Sequence, residues 1–319
     1  MKRVVIALLG CTASGKSAVA RRLASALDAE ILSVDSMKVY RGMDIGTAKP
    51  SAAERAGVPH HLIDVADPWE AFSAARFVEL ADAAVAEAHA RGHTVVAVGG
   101  TVLYFKAFYE GLFAGPGADH AVRAELRARA AREGAPALHA ELAAIDAPAA
   151  ARIHPNDLRR IERALEVHRL TGVPISRLQA QWGAGTLRRP DWQWRLVGLR
   201  RARDAANRRI NDRVRRMLEA GLVEEARRLA ADPRGVSMPA RQAVGYAELF
   251  AHFEGKWSLD DAIERIKVNS RRLAKQQRTW LRRIAGVDWF DLVEEDTLET
   301  VVERVRSRVQ PAADRNPGA

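Results

Sequence analysis

Cysteine is almost missing from this chain, and Cys11 stands alone among 319 residues. No intrachain disulfide can form, so a reducing compartment, the cytoplasm, is the expected setting. Long apolar runs are missing as well. None approaches the ~18 residues of a membrane span, and no membrane association is expected. The amino terminus carries one imitation of a targeting signal. Met1-Lys2-Arg3, the apolar run Val4 to Leu9 and then Gly10-Cys11 mimic a lipoprotein leader. That run is shorter than the ~7–15 residues of a true signal core, and it reads instead as a first core strand. Lysine is scarce too: only eight of the 50 basic residues are Lys. Aromatics make up 6%, although seven of them are Trp.

What is present begins at once. Gly10-Cys11-Thr12-Ala13-Ser14-Gly15-Lys16-Ser17 fits G-x-x-x-x-G-K-[ST]. It follows the β-branched run Arg3 to Leu9 and precedes a helical pattern from Ser17 to Leu27, the context a phosphate cradle requires. Loop amides and the helix N-terminus would face an anion. The expected phosphate contacts are Gly10, Thr12, Ala13, Ser14, Gly15, Lys16 and Ser17, with the Ser17 hydroxyl holding Mg²⁺.

Short apolar runs recur at Glu30–Val34, His61–Val65, Thr94–Val98 and Trp194–Leu199, separated by helical stretches. Runs this short and unbroken suit parallel strands covered on both faces. The expected fold is a doubly wound α/β sheet with its ligand beyond the strands' C-terminal ends. Between residues 116 and 190 the strand rhythm stops, and Ala121–Glu133 and Asp157–Leu170 read as helices. This segment is expected to be a helical insertion between core segments 1–115 and 191–309. The tail 310–319, rich in Pro, Ala and Gly, is expected to be disordered. With a formal charge of +10, residues 195–285 hold 22 basic and 11 acidic side chains. Such a segregated surplus favours a polyanionic partner. Ser258 reads as the cap of a long helix buried through Ile263, Ile266, Leu273 and Trp280. Lys267, Arg271, Lys275, Arg278 and Arg282 form one basic stripe along it.

Residues 29–50 read AEILSVDSMKVYRGMDIGTAKP and residues 58–64 read VPHHLID. With the Gly-rich loop, Gly99-Gly100-Thr101, Arg163 to Val167, Val244-Gly245-Tyr246 and Thr279-Trp280, they resemble the tRNA dimethylallyltransferase (isopentenyltransferase) family. The likeness runs from residue 4 to about 285. It implies a P-loop core, dimethylallyl diphosphate as donor and the adenosine beside the anticodon of tRNAs reading U-initial codons as acceptor. It also implies that the insertion grips the anticodon stem-loop. Asp35 would be the general base, Arg213 a cation on the departing diphosphate, and Thr101 a neighbour in the same channel. Implied or expected tRNA contacts are Asp35, Ser36, Met37, Lys38 and Thr101 along the channel and Arg123, Arg159, Arg160 and Arg163 on the insertion. Arg241, Gly245, Tyr246, Lys275, Arg278 and Arg282 complete the set. No obligate protein partner is implied. Two positions depart from the family pattern: Cys11 replaces a common Pro, and Lys38 a common Gln. Cys11 lies either in a reactive position beside Lys16 and helix-terminal amides or as a small inert packing residue.

The loop, Ser17 and Asp35 suit a small-molecule P-loop kinase equally well. That alternative leaves the basic stripe and the DIGTAKP run without a task. An NTP-driven motor needs an acid at a strand end, and only Asp64 offers one besides Asp35. A non-catalytic RNA-binding protein would leave the phosphate loop idle.

Overall fold

A computed structural model describes residues 3–113, 115–180 and 188–310. β1 (Arg3–Leu9) is solvent-free from Val5 onward, so it must be covered on both faces. It lies inside a six-stranded sheet with β2 (Ala29–Val34), β3 (His60–His61), β4 (Thr94–Gly99), β5 (Trp192–Arg201) and β6 (Asp288–Leu292). The order is β3-β2-β4-β1-β5-β6 and every pairing is parallel. Helices Lys16–Ala26 and Leu298–Val309 cover one face. Leu23 and Ala24 of the first, and Val301, Val305 and Val309 of the second, share a core with Ile6, Leu8 and Val96. This is a doubly wound parallel α/β architecture, as expected.

Four strands are foreshadowed by apolar runs. The run His61–Val65 is not a strand: β3 is confined to His60–His61, and Leu62 and Asp64 follow in left-handed backbone. β6 has no such run. Its sequence, DWFDL, alternates acids with apolar residues because it is an edge strand. Asp291 sits opposite Arg200 of β5 and takes its guanidinium, while Asp288 accepts two hydrogen bonds from Arg308 at 2.8 and 2.9 Å. The same pairing explains why β5 continues to Arg201, past the end of its apolar run.

The chain forms two compact units. One comprises the residues up to Phe108 and those from Pro190 on; the other is Tyr109–Arg189. The second therefore starts ahead of the Gly115-Pro116-Gly117 turn that marks it in the sequence. Its helices His120–Glu133, Ala135–Ile145 and Leu158–Thr171 meet through Leu126, Leu138, Leu142, Ile161 and Leu165. Asp157 caps the last of these and Gly172, at φ 70°, ends it. Residues 311–319 of the expected disordered tail lie outside the described residues. Among the described residues no helix is long and apolar enough to cross a membrane.

One buried acid ties the strand ends of the first unit. Glu30 on β2 is 1% exposed. It accepts Arg91 Nε and Nη2 at 2.8 and 2.7 Å, His93 Nδ1 lies at 2.8 Å and His61 Nε2 at 2.5 Å. His61 of the VPHH run is thus a structural partner. The Arg91 hydrogen bonds, outweighing burial and helped by the two histidines, lower the Glu30 carboxyl from its ordinary 4.5 to about 2. The unfolded chain takes up this proton first as pH falls. The contribution is therefore whole above about pH 5 and is lost between there and about pH 2, amounting to about 3 kcal/mol. Glu30→Gln should lower stability at pH 7 by a similar amount and flatten that acid limb in denaturant titrations. An unchanged acid limb would show that Glu30 does not govern it.

Candidate functional site

The phosphate loop leaves β1 at Gly10, where only hydrogen fits. A Cβ there would lie 2.7 Å from Ser14 Oγ and 2.8 Å from the Leu199 carbonyl oxygen. Ala13 (φ 61°) and Gly15 (φ 96°) adopt left-handed backbone. Their turns send the loop carbonyls outward: Arg209 Nε donates to Ala13 O at 3.0 Å and Arg201 Nε to Ser14 O at 3.4 Å. The amides of Ala13, Gly15, Lys16 and Ser17 carry no backbone hydrogen bond among the described residues. Unpartnered amides opening a helix form a site for an anion. Lys16 Nζ reaches back to Cys11 O at 3.1 Å.

Beside the loop, β2 delivers Asp35. Its Oδ1 accepts the amides of Met37 at 2.9 Å and Lys38 at 3.3 Å, closing a tight turn, and its Oδ2 makes no hydrogen bond among the described residues. Thr101 fixes the same turn. Its Oγ1 accepts Ser36 N at 2.9 Å and lies 3.2 Å from Ser36 Oγ. Its hydroxyl thereby holds the turn and keeps one lone pair free. Gly99 permits this approach of β4 to β2, since a Cβ there would fall 1.8 Å from Val34 O.

Three cations share this corner. Lys16, Lys38 and Arg213 each interact electrostatically with Asp35. Burial, followed by the Lys38 and Arg213 cations, brings the Lys16 ammonium down from its ordinary 10.5 to about 8, with Asp35 opposing. Burial also lowers Lys38 and Arg213, again against Asp35. Arg213 spans the loop and the DIGTAKP run, from Thr12 Oγ1 to Thr47 O, both at 3.3 Å.

The DIGTAKP run is itself built around a buried acid absent from the sequence-derived candidates. Glu225, 2% exposed, accepts the amides of Asp44, Ile45 and Gly46 at 2.9–3.1 Å and the Tyr246 hydroxyl at 2.5 Å. Tyr246 is fully buried against Gly46, where a Cβ would meet its ring at 2.5 Å. Tyr246 is therefore a packing residue, not an RNA contact. Gly245 gives its amide to Glu248 Oε2 at 2.7 Å and opens the following helix. Arg241 is paired with Glu254 and stacked over Phe250.

On the insertion, Arg123 donates twice to the fully buried Glu166, at 2.8 and 2.9 Å, and Arg163 donates to the same carboxylate at 2.7 Å. Both arginines thus staple that unit together through Glu166 while remaining partly exposed. Arg159 and Arg160 remain on its surface, Arg160 beside Asp157 at 3.4 Å.

The long helix Leu259–Leu281 also differs from its sequence reading. Ser258 caps it, accepting Asp261 N at 3.1 Å. Ile266 is buried as expected, but Leu273 and Trp280 are 37% and 42% exposed, and Ala262, Ala274 and Leu281 complete the buried face instead. Ala274 lets it close on Cys11 and Ile210. Cys11 is 4% exposed in this apolar contact, so it is the small packing residue of the two readings. One turn on, Gln277 bridges two loops. Its Oε1 accepts Thr12 N at 2.7 Å, and its Nε2 donates to Gly100 O at 2.8 Å. A Cβ at Gly100 would lie 2.6 Å from that nitrogen. An uncharged residue beside a conspicuous basic stripe gave no signal in sequence.

A family model described as IPP transferase matches residues 38–284. The chain belongs to that family. It is 45% identical over 307 residues to the tRNA dimethylallyltransferase of Geobacillus thermodenitrificans, covering 96% of each. It is 47% identical over 306 residues to the tRNA dimethylallyltransferase of Methylococcus capsulatus, covering 96% of this chain and 97% of that one. The tRNA isopentenylpyrophosphate transferase structure from Bacillus halodurans matches with TM-score 0.70 at 42% identity, over 96% and 95% of the two chains. A eukaryotic dimethylallyltransferase acting on tRNA matches with TM-score 0.78 at 26% identity, over 96% of this chain and 77% of that one. The core therefore has the P-loop NTPase-like fold of these transferases.

Two outcomes follow from the site's geometry. Lys16 is cationic below about pH 8 and neutral above it. Binding of an alkyl diphosphate should therefore weaken as pH rises through 8 in calorimetric titrations, and Lys16→Arg should flatten that fall. A pH-independent affinity in the unaltered protein would assign the anion's attraction elsewhere. Gln277→Leu removes both loop hydrogen bonds at similar volume. Stability should fall by about 1–2 kcal/mol, while turnover should fall by about 10–100-fold through misplacement of the facing loops. Turnover within about threefold of the unaltered protein would make the bridge mere scaffold.

Proposed function

We propose that this chain transfers a dimethylallyl group from dimethylallyl diphosphate to the exocyclic amine of the adenosine beside the anticodon in tRNAs reading U-initial codons. The observation that carries this reading is the unsatisfied Asp35 carboxylate oxygen beside a phosphate nest and three cations. Alkyl transfer needs that pair of environments, one to receive a proton and one to receive a leaving diphosphate. The adenine amine attacks the allylic carbon, and the carbon–oxygen bond breaks with its electron pair passing to the diphosphate. Asp35 Oδ2 takes the amine proton. The loop amides, Lys16 and Arg213 hold the departing anion, and Thr101 keeps the Asp35-Ser36 turn in register. The adenine must leave its stack to arrive here. Ser36, Met37 and Lys38 border its route, with Lys38 adding charge where the family commonly has Gln.

The Ser17 hydroxyl makes no hydrogen bond among the described residues. A lone hydroxyl suits Mg²⁺, which prefers substrate phosphates and water to an all-protein cage. The described residues contain no cluster of three or more acidic, His or Cys side chains able to hold a metal. Mg²⁺ would neutralise charge on the diphosphate. On the insertion, the exposed Arg159 and Arg160, with Arg123 and Arg163, would meet the anticodon stem-loop. Work on tRNA also accords with a cytoplasmic setting.

Purified protein incubated with dimethylallyl diphosphate, Mg²⁺ and unmodified tRNA should yield prenylated adenosine by nucleoside mass spectrometry. Phosphoryl transfer from ATP without prenylation would favour the kinase reading instead. Asp35→Asn should keep alkyl diphosphate affinity and lose about 10²–10⁴ in turnover. Loss within about threefold would remove Asp35 from the role of base.

A further inference from the structure

A second cavity, of about 390 Å³, adjoins the phosphate loop at the C-terminal ends of β5 and β6, under the last turns of helix Leu259–Leu281. The two sites share Cys11, which is among the cavity's lining residues and whose carbonyl oxygen holds Lys16. Six of the cavity's eleven lining residues are basic and none is acidic. Two of the six are already engaged: Arg200 pairs with Asp291, and Arg201 donates to the carbonyls of Ser14 and Val293. Among the described residues, the side chains of Arg203, Lys275, Arg278 and Arg282 make no ion pair or hydrogen bond. Arg278 Nη1 is moreover buried without a hydrogen-bond partner. A guanidinium nitrogen shielded from both water and acceptor is costly to maintain.

The cavity's wall is built rather than incidental. Trp289 on β6 lies against Gly198 of β5, where a Cβ would fall 2.3 Å from its ring. Arg200 sits 5.7 Å from the same ring centroid while held by Asp291. One wall is thus fixed by backbone contact and ion pairing, and the four uncompensated cations converge opposite no acid. Guanidiniums match phosphate oxygens by bidentate geometry, and a concave set concentrates their field.

We propose that this cavity is a second phosphate-binding site, distinct from the diphosphate cradle, in which Arg203, Lys275, Arg278 and Arg282 hold a phosphate group. The phosphate comes either from the backbone of bound tRNA or from a free phosphate or diphosphate; the tRNA source rests on the proposed function. Arg203 and Arg282 are exposed, so Arg203→Gln with Arg282→Gln tests the site without opening the core. Arg272→Gln with Arg283→Gln makes the same charge change at exposed positions on this helix and just past its end, outside the cavity.

Two binding measurements decide the matter, neither of which requires turnover. In equilibrium dialysis with inorganic diphosphate, the unaltered protein should bind two equivalents. Lys16→Ala, which disables the cradle, should bind one, and the Arg203/Arg282 variant one. In anticodon stem-loop binding against salt, a backbone-phosphate occupant would lower the log–log slope of the Arg203/Arg282 variant by about 0.7–0.9 per lost contact. The Arg272/Arg283 variant should leave both readouts unaltered. A reduced slope identifies tRNA as the source. A reduced stoichiometry with unaltered slope identifies the free anion. Neither change, or an equal change in the Arg272/Arg283 variant, overturns the site. Failure of the unaltered protein to bind the stem-loop would count against the proposed function, and the dialysis result would still decide the cavity.

Discussion

The carboxamide of Gln277 fixes the spacing on which the site depends. Its oxygen meets the phosphate loop at Thr12 and its nitrogen meets the β4 loop at Gly100, at 2.7 and 2.8 Å. Those loops carry the two halves of the chemistry. One holds the anion nest; the other holds Thr101, and through it the turn of Asp35 and Ser36. A two-substrate transfer is sensitive to the distance between such halves, since misplacement by about 1 Å can cost 10²-fold. An amide suits this bridge because it supplies one acceptor and a donor in a single rigid plane. A carboxylate would face the Gly100 carbonyl without a proton, and an ammonium would have nothing to offer the Thr12 amide. Gly100 and Ala274 complete the constraint by leaving the helix room to approach.

Buried glutamates organise each of the two units in turn. Glu225 gathers three consecutive amides of the DIGTAKP run and the Tyr246 hydroxyl, which shapes the ledge where Arg213 reaches Thr47. Glu166 does similar work in the insertion by binding Arg123, Arg163 and the Asp119 amide. Removing Glu225 would strand three backbone amides and a hydroxyl, and removing Glu166 would strand the cations of Arg123 and Arg163 as well as the Asp119 amide. An arginine-rich chain needs such anchors. They divide its guanidiniums between those that hold the fold and those still able to meet an anion.

That division explains how much was legible beforehand. The phosphate loop could be read because its chemistry lies in contiguous residues with fixed backbone demands. Buried strands could be read because both faces are apolar. Asp35 could be read because a strand end beside the loop is a position topology supplies. The roles of Arg123, Arg163 and Arg241 could not, since a guanidinium's task depends on a partner distant in sequence, such as Glu166, 43 residues from Arg123. The long helix was misread by one position for a related reason. Large residues suggest a buried face, yet Ala274 makes the contact because the loop behind it comes so close. Edge strand β6 was missed because its acids serve neighbouring arginines rather than solvent.

The chain's two departures from the family pattern take on different weights in this frame. Cys11 fills a dry contact with Ile210 and Ala274, where volume matters and its thiol has no polar task. Lys38 instead enters the electrostatics of the site. It is the nearest cause, after burial, of the lowered Lys16, and both ammoniums lean on Asp35. A neutral Gln there would leave Lys16 more firmly charged and Asp35 with one cation fewer. With Lys38 the corner holds three cations against a single carboxylate, a surplus that favours an incoming diphosphate.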